Sequence, residues 1–87
     1  MLSETKLIRI WPGERRLLPS PPENHDLLLR CLTGKAYLRI MSQARRRVIG
    51  KGEALVIANN EIATLSGVAA MLVNIRYIKQ KEYSVDC

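Results

Sequence analysis

The side chains that could do chemistry are few, and their spacing does not bring them together. The sequence holds one histidine, His25, directly before Asp26. A histidine beside a carboxylate can act as a general base or as part of a metal site. Nucleophilic catalysis would also need a serine or cysteine linked to the imidazole, and no motif in the chain supplies that link. A lone histidine at the end of a proline-rich loop equally fits a surface or turn residue. Cys31 lies inside an apolar run and reads as a small core residue, and Cys87 is the last residue. Neither has a partner at metal-ligand spacing, and no disulfide framework is visible. Gly50-Lys51-Gly52 lacks the length and the strand–helix context of a phosphate loop.

The sharpest charged feature is Arg45-Arg46-Arg47. On a strand, Arg45 and Arg47 share one side and Arg46 opposes them. Charges on an edge strand block further pairing, which is one use for this triplet. The other is a phosphate-binding patch, in which Arg45, Arg46 and Arg47 act with Lys35, Arg39 and Lys51 on nucleic acid. The net charge of +6, with nine arginines against five lysines, agrees with either use. Aromatic side chains for base stacking are sparse: Trp11, Tyr37, Tyr77 and Tyr83.

The elements that would position these residues are short strands. Lys6–Trp11 alternates apolar and charged residues and ends at Pro12-Gly13. Glu14–Leu18 is a short second strand or extended arm. Pro19-Ser20-Pro21-Pro22 excludes a helix and forms the one clear loop. Leu27–Leu32 suits a strand covered on both faces, and Gly34 is placed for a tight hairpin turn. Ala36–Ile40 then has a period of two, with Ala36, Leu38 and Ile40 on one face. Arg45–Ile49 and the doubly buried run Ala54–Ile57 follow, separated by the Gly50–Gly52 turn. Asn59-Asn60 signals a turn because asparagine tolerates a left-handed backbone. Ile62–Ser66 leads through a turn at Gly67 into the longest apolar strand, Ala69–Ile78. No stretch has a capped helical period. Seven or eight short strands with a turn every few residues indicate an all-β sandwich or small barrel.

The chain has 87 residues, enough for one domain (residues 1–87, core about 6–79) with a frayed tail over residues 80–87. Apolar residues make up 47% with no phenylalanine, so the core must be aliphatic. That share fits a well-filled barrel interior or an apolar face covered by a second copy, a homodimer. No run is long enough to span a bilayer and the N-terminus has no signal-peptide apolar region, which predicts a cytoplasmic protein with no membrane partner.

The runs LLLRCLTGKAYLRI, RRRVIGKGEALVIANNEIATL and AAMLVNIRY together resemble the cupin pattern. Gly34 stands at the first glycine of that pattern, Gly52-Glu53 at its Gly-Asp/Glu, and Ile57-Ala58-Asn59 where Ile-Pro-Ala is usual. The resemblance spans Pro12 to Tyr77 and implies a cupin-like jelly-roll β-barrel of about eight short antiparallel strands. It also implies where a metal would sit. Metal-binding cupins carry two histidines and a glutamate before the first glycine, and a histidine after the second motif. Here the glutamate position is Leu27, the first histidines would fall among Ser20 to Glu23, and the last near Ala63. His25 is out of step with all of them, and a divalent ion needs about three protein ligands. The resemblance therefore implies a metal-free, cofactor-free interior. It would be lined by Leu27, Leu29, Cys31, Leu38, Ile40, Leu55 and Ile57 and would take at most a small apolar or weakly polar ligand. No two inward carboxylates are available for acid–base catalysis, so the expected role is a non-catalytic module for homo-oligomeric, protein or small-ligand binding. The alternative is a basic nucleic-acid-binding or regulatory protein.

Overall fold

The structure, a computed structural model, describes residues 5–80. It contains six antiparallel strands: β1 (Thr5–Ile10), β2 (Arg15–Leu17), β3 (His25–Ile40), β4 (Arg47–Gly50), β5 (Ala54–Ile57) and β6 (Ala63–Lys79). None of the described residues is α-helical. β3 and β6 pair with each other along nearly their whole length and form the centre. β1 and β2 follow one another along the far side of β6, and β4 and β5 follow one another along the far side of β3.

Six strands stand where the sequence suggests about eight because two predicted breaks are not breaks. Gly34 was expected to close a hairpin and Gly67 to turn the chain, yet each lies inside a continuous strand. The pairing of β3 with β6 shifts register between Cys31 and Ala36, so β3 bends through bulges without reversing. Gly34 has a φ of +87° at that bend. A Cβ there would lie 2.6 Å from Met71 Cα and closer still to the Ala70 carbonyl oxygen. Gly67 is needed for a different reason: a Cβ would run into the Trp11 carbonyl oxygen. Both glycines admit a neighbouring backbone where the sheet folds over.

The outer strands break at the same level through two turns of like sequence. In Trp11-Pro12-Gly13-Glu14 the Glu14 N–H donates to the Trp11 carbonyl (3.0 Å), and the Trp11 N–H donates to Glu14 Oε1 (2.9 Å). In Gly50-Lys51-Gly52-Glu53 the Glu53 N–H donates to the Gly50 carbonyl (3.0 Å), and the Gly50 N–H donates to Glu53 Oε1 (2.7 Å). Gly13 and Gly52 both have positive φ, 84° and 88°, as the third residue of such a turn requires. The glutamate of each Gly-Glu pair thus closes its own turn.

These four bends divide the barrel into two halves. The β5 half contains β1, the end of β6, the start of β3, and β5. The β4 half contains β2, the start of β6, the end of β3, and β4. Alternate residues face inward, as a period of two dictates. Leu27, Leu29 and Cys31 meet Val73 and Ile75 in the first half; Ala36, Leu38 and Ile40 meet Ala63, Leu65 and Ile49 in the second. One core cluster joins both halves.

Smaller differences follow from position in the sheet. β5 is an edge strand, so of Ala54–Ile57 only Ile57 is buried and the expectation of burial on both faces fails. β4 starts at Arg47, which leaves Arg45 and Arg46 in the preceding turn and not on the strand. Asn24, not Asn59 or Asn60, takes the left-handed backbone, with a φ of 67°. Asn59 instead ties loops together: its side-chain amide donates to the carbonyls of Pro22 and His25, both at 2.8 Å. Gln80, expected in the frayed tail, is held by its N–H to the Asn24 carbonyl and its amide to Asp26 Oδ1, both at 3.0 Å. The rest of that tail, with Tyr83 and Cys87, lies outside the described residues.

Candidate functional site

The interior offers packing, not polar groups. Leu27, Leu29, Cys31, Leu38, Ile40 and Ile57 all belong to the core cluster, and Leu55 packs partly buried against it. Four surface clefts among the described residues take none of these seven residues as lining. Leu27 is 1% exposed and Ala63 is 3% exposed, so the positions at which the cupin pattern places metal ligands are sealed by aliphatic carbon. Among the described residues, no three His, Cys, Asp or Glu side chains come near enough to hold a metal ion. Apolar carbon cannot replace a metal's hydration shell, and these residues do not fit one.

His25 and Asp26 do not act as a pair. As consecutive strand residues they point to opposite faces. His25 donates from Nδ1 to the Glu23 carbonyl (2.9 Å) and lines a shallow cleft of about 470 Å³ with Glu23, Asn24, Lys79 and Gln80. Asp26 is buried and accepts from the Asn59 N–H (2.9 Å) and from Gln80 Nε2 (3.0 Å). Its carboxylate fastens the β5–β6 loop and Gln80, just past β6, to the end of the barrel.

Cys31 is equally unsuited to reaction. Its Sγ donates to the Thr33 carbonyl at 3.3 Å, inside the bulged part of β3. Burial pushes the thiol above its ordinary value, and the Glu53 carboxylate pushes it the same way; the contact with the Thr33 backbone opposes them. A buried, protonated thiol is a poor nucleophile and a poor metal ligand.

The basic residues are where the structure adds most. Of the six named from the sequence, Arg39 and Arg46 are brought together on the outer face of the β4 half. Arg46 stacks its guanidinium over the Tyr37 ring, 3.9 Å from the centroid. Arg15, which the sequence reading did not include, joins them across β6. The register places Arg15 beside Ser66 and Ser66 beside Tyr37, with Thr64 beside Arg39 in the next row. Together with Met41 these residues line a cleft of about 340 Å³. No acidic residue lines it, and the ion pair of Arg16 with Glu14, at 3.5 Å, lies outside it.

Arg47 has another place. It is cross-strand from Leu38, so it shares the inward-facing side of β4 with Ile49 while remaining exposed at the sheet edge. Arg16 holds the matching position on β2, opposite Leu65. The row Arg16–Leu65–Leu38–Arg47 therefore carries a charge at each edge strand of this half, a device that discourages pairing with another sheet. Arg45 and Lys51 sit exposed in the turns flanking β4, and Lys35 is paired with Gly50 at its end.

No family model matches the sequence, and no curated protein matches it. Solved structures do resemble it in three dimensions. A cupin protein from Bacteroides fragilis aligns over 98% of this chain and 72% of its own length, with a TM-score of 0.77 and 13% identity. A conserved protein of unknown function from Streptococcus pyogenes aligns over 86% of this chain with a TM-score of 0.71 and 18% identity, and this chain spans 62% of its length. Ectoine synthase from P. lautus aligns over 86% of this chain with a TM-score of 0.69 and 16% identity, and this chain spans 52% of its length. At such identities the likeness is one of fold, and an enzyme among the similar structures does not carry its reaction across. The chain has a cupin-like fold, a small all-β antiparallel barrel.

Proposed function

We propose that this chain is a cytoplasmic, non-catalytic and metal-independent binding module that works through the outside of a filled barrel. The observation that carries the reading is the burial of Leu27 and Ala63 at the positions where cupin-like barrels place metal ligands. The remaining candidates for chemistry, His25, Asp26 and Cys31, are each engaged separately in holding loops or the bulge. Pairing with a second copy would cover some of the large apolar side chains that the barrel leaves outside, among them Leu7, Leu17, Val56 and Ile62. The test is elemental analysis of protein purified from metal-supplemented medium, run with light scattering for the mass in solution. The expected result is a dimer with only trace metal. One tightly held transition metal ion per chain would overturn the metal-independent reading, and a monomer at all concentrations would overturn the pairing.

A second reading, nucleic-acid binding, is favoured by one specific observation. Arg39 and Arg46 converge with Arg15 around Tyr37 in a cleft without an acidic residue. Like charges gathered without counter-charges suit a polyanion.

A further inference from the structure

We infer that the outer face of the β4 half is a binding site for single-stranded nucleic acid, with Arg15 and Arg39 taking phosphates and the Arg46–Tyr37 stack serving as a platform for a base. The inference rests on the nucleic-acid reading above and gives it a site and a ligand class.

Geometry argues for a strand and not for one small anion. Neighbouring β-strands lie about 4.8 Å apart, so Arg15 and Tyr37, two strands apart, have backbones roughly 10 Å apart. Tyr37 and Arg39, two residues apart on one strand, are separated by about 7 Å. Arg46 comes in from the β3–β4 turn above Tyr37. The backbone positions that carry the three arginines are thus spread across a face, with spacings of the order of those between successive phosphates in an extended strand. Arg45 lies exposed in the same turn as Arg46, and Lys51 and Lys35 lie exposed at the far end of β4.

Chemistry argues for bases as well as phosphates. With its guanidinium lying on the Tyr37 ring, Arg46 turns a flat, charged plane outward. Unpaired bases stack on such planes as they do on aromatic rings. Ser66 and Thr64 lie between the arginines and supply hydroxyl groups to phosphate or base edges. A duplex keeps its bases stacked inside, and this face has no helix or ribbon to enter a groove. An open sheet with a stacking platform is suited to splayed single strands.

Fluorescence anisotropy of labelled single-stranded 12-mers of DNA and RNA, titrated with the full chain, tests this. Binding should weaken about sevenfold between 50 and 200 mM salt if two phosphates are engaged. Arg15→Ala and Arg39→Ala should each lower affinity and flatten the salt dependence, by about 0.7 in log–log slope per arginine. Arg46→Lys keeps the charge and loses the plane, so it should weaken binding with the slope unchanged. Arg76→Ala, on the outer face of the other half, should bind as the parent does, and circular dichroism confirms that each variant is folded. Absence of binding at 50 mM salt would overturn both the nucleic-acid reading and the site. Binding that survives Arg15→Ala and Arg39→Ala combined would overturn the site and leave the reading. Full affinity in Arg46→Lys, equal affinity for inorganic polyphosphate, or preference for duplex would overturn the single-strand assignment.

Discussion

Gly34→Ala should destabilise the protein by about 3 kcal/mol or more, a large share of the total stability of a small domain. Two costs combine at this position. The positive φ is strained for any residue with a Cβ, and that Cβ would occupy space held by the backbone of Ala70 and Met71. Backbone in the middle of β6 cannot swing aside as a flexible side chain can, so the fold between the two halves must open. Gly52→Ala provides the internal comparison. Gly52 has nearly the same φ, but nothing lies within 4 Å of a Cβ built there. It should lose only the backbone term, about 1 kcal/mol. Urea unfolding followed by circular dichroism measures both. Equal losses at the two glycines would show that β3 does not bend against β6 as described.

The second large effect is expected at Leu29→Ala. Leu29 is fully buried, paired with Ile75 on one side and Leu55 on the other. Truncating a leucine in a packed core costs about 2–5 kcal/mol, from lost transfer energy and from the cavity left behind. In a domain of this size such a loss lowers the melting temperature by roughly 10–30 °C. A leucine lining an open pocket would lose far fewer contacts, because part of its surface would already face solvent or a void. A loss below about 1 kcal/mol would therefore indicate that the interior is open at this level.

These two positions also show which parts of the molecule are legible in the sequence. Leu29 declares itself: although the run Leu27–Leu32 reads as covered on both faces, its one charged residue, Arg30, marks the outer side and so turns its neighbour Leu29 inward. The same holds for Leu38 and Ile40 between Tyr37 and Arg39. Gly34 and Gly67 do not declare themselves. A glycine that reverses the chain and a glycine that lets another backbone come close are the same letter, and only the partner strand separates them. That partner is β6, whose pairing with β3 is long-range throughout. The Gly13-Glu14 and Gly52-Glu53 pairs held a readable signal, since two turns of like sequence fall at the same level of the barrel.

The basic face was half legible for a related reason. The sequence singles out Arg45-Arg46-Arg47 because they are adjacent, yet adjacency on or near a strand scatters side chains. Arg46 turns to Tyr37 while Arg47 keeps the inward side of β4. Arg15 reaches the same face from the other edge of the sheet, through Ser66, and nothing near Arg15 in sequence points to Arg39. The turn expected at Asn59-Asn60 is present, closed by the Glu61 N–H to the Ala58 carbonyl, but the sequence does not show the second task of Asn59. Its turn propensity is local, but its three carbonyl contacts lie more than 30 residues away along the chain.

The central claim is that the barrel interior is filled and that the protein acts through its outer surface. A crystal of the unliganded protein pressurised with xenon tests it most directly, because xenon enters apolar cavities that water leaves empty. The account predicts no xenon among Leu27, Leu29, Leu38 and Ile57. An ordered xenon atom between these side chains would contradict it and would return the interior to consideration as a ligand site.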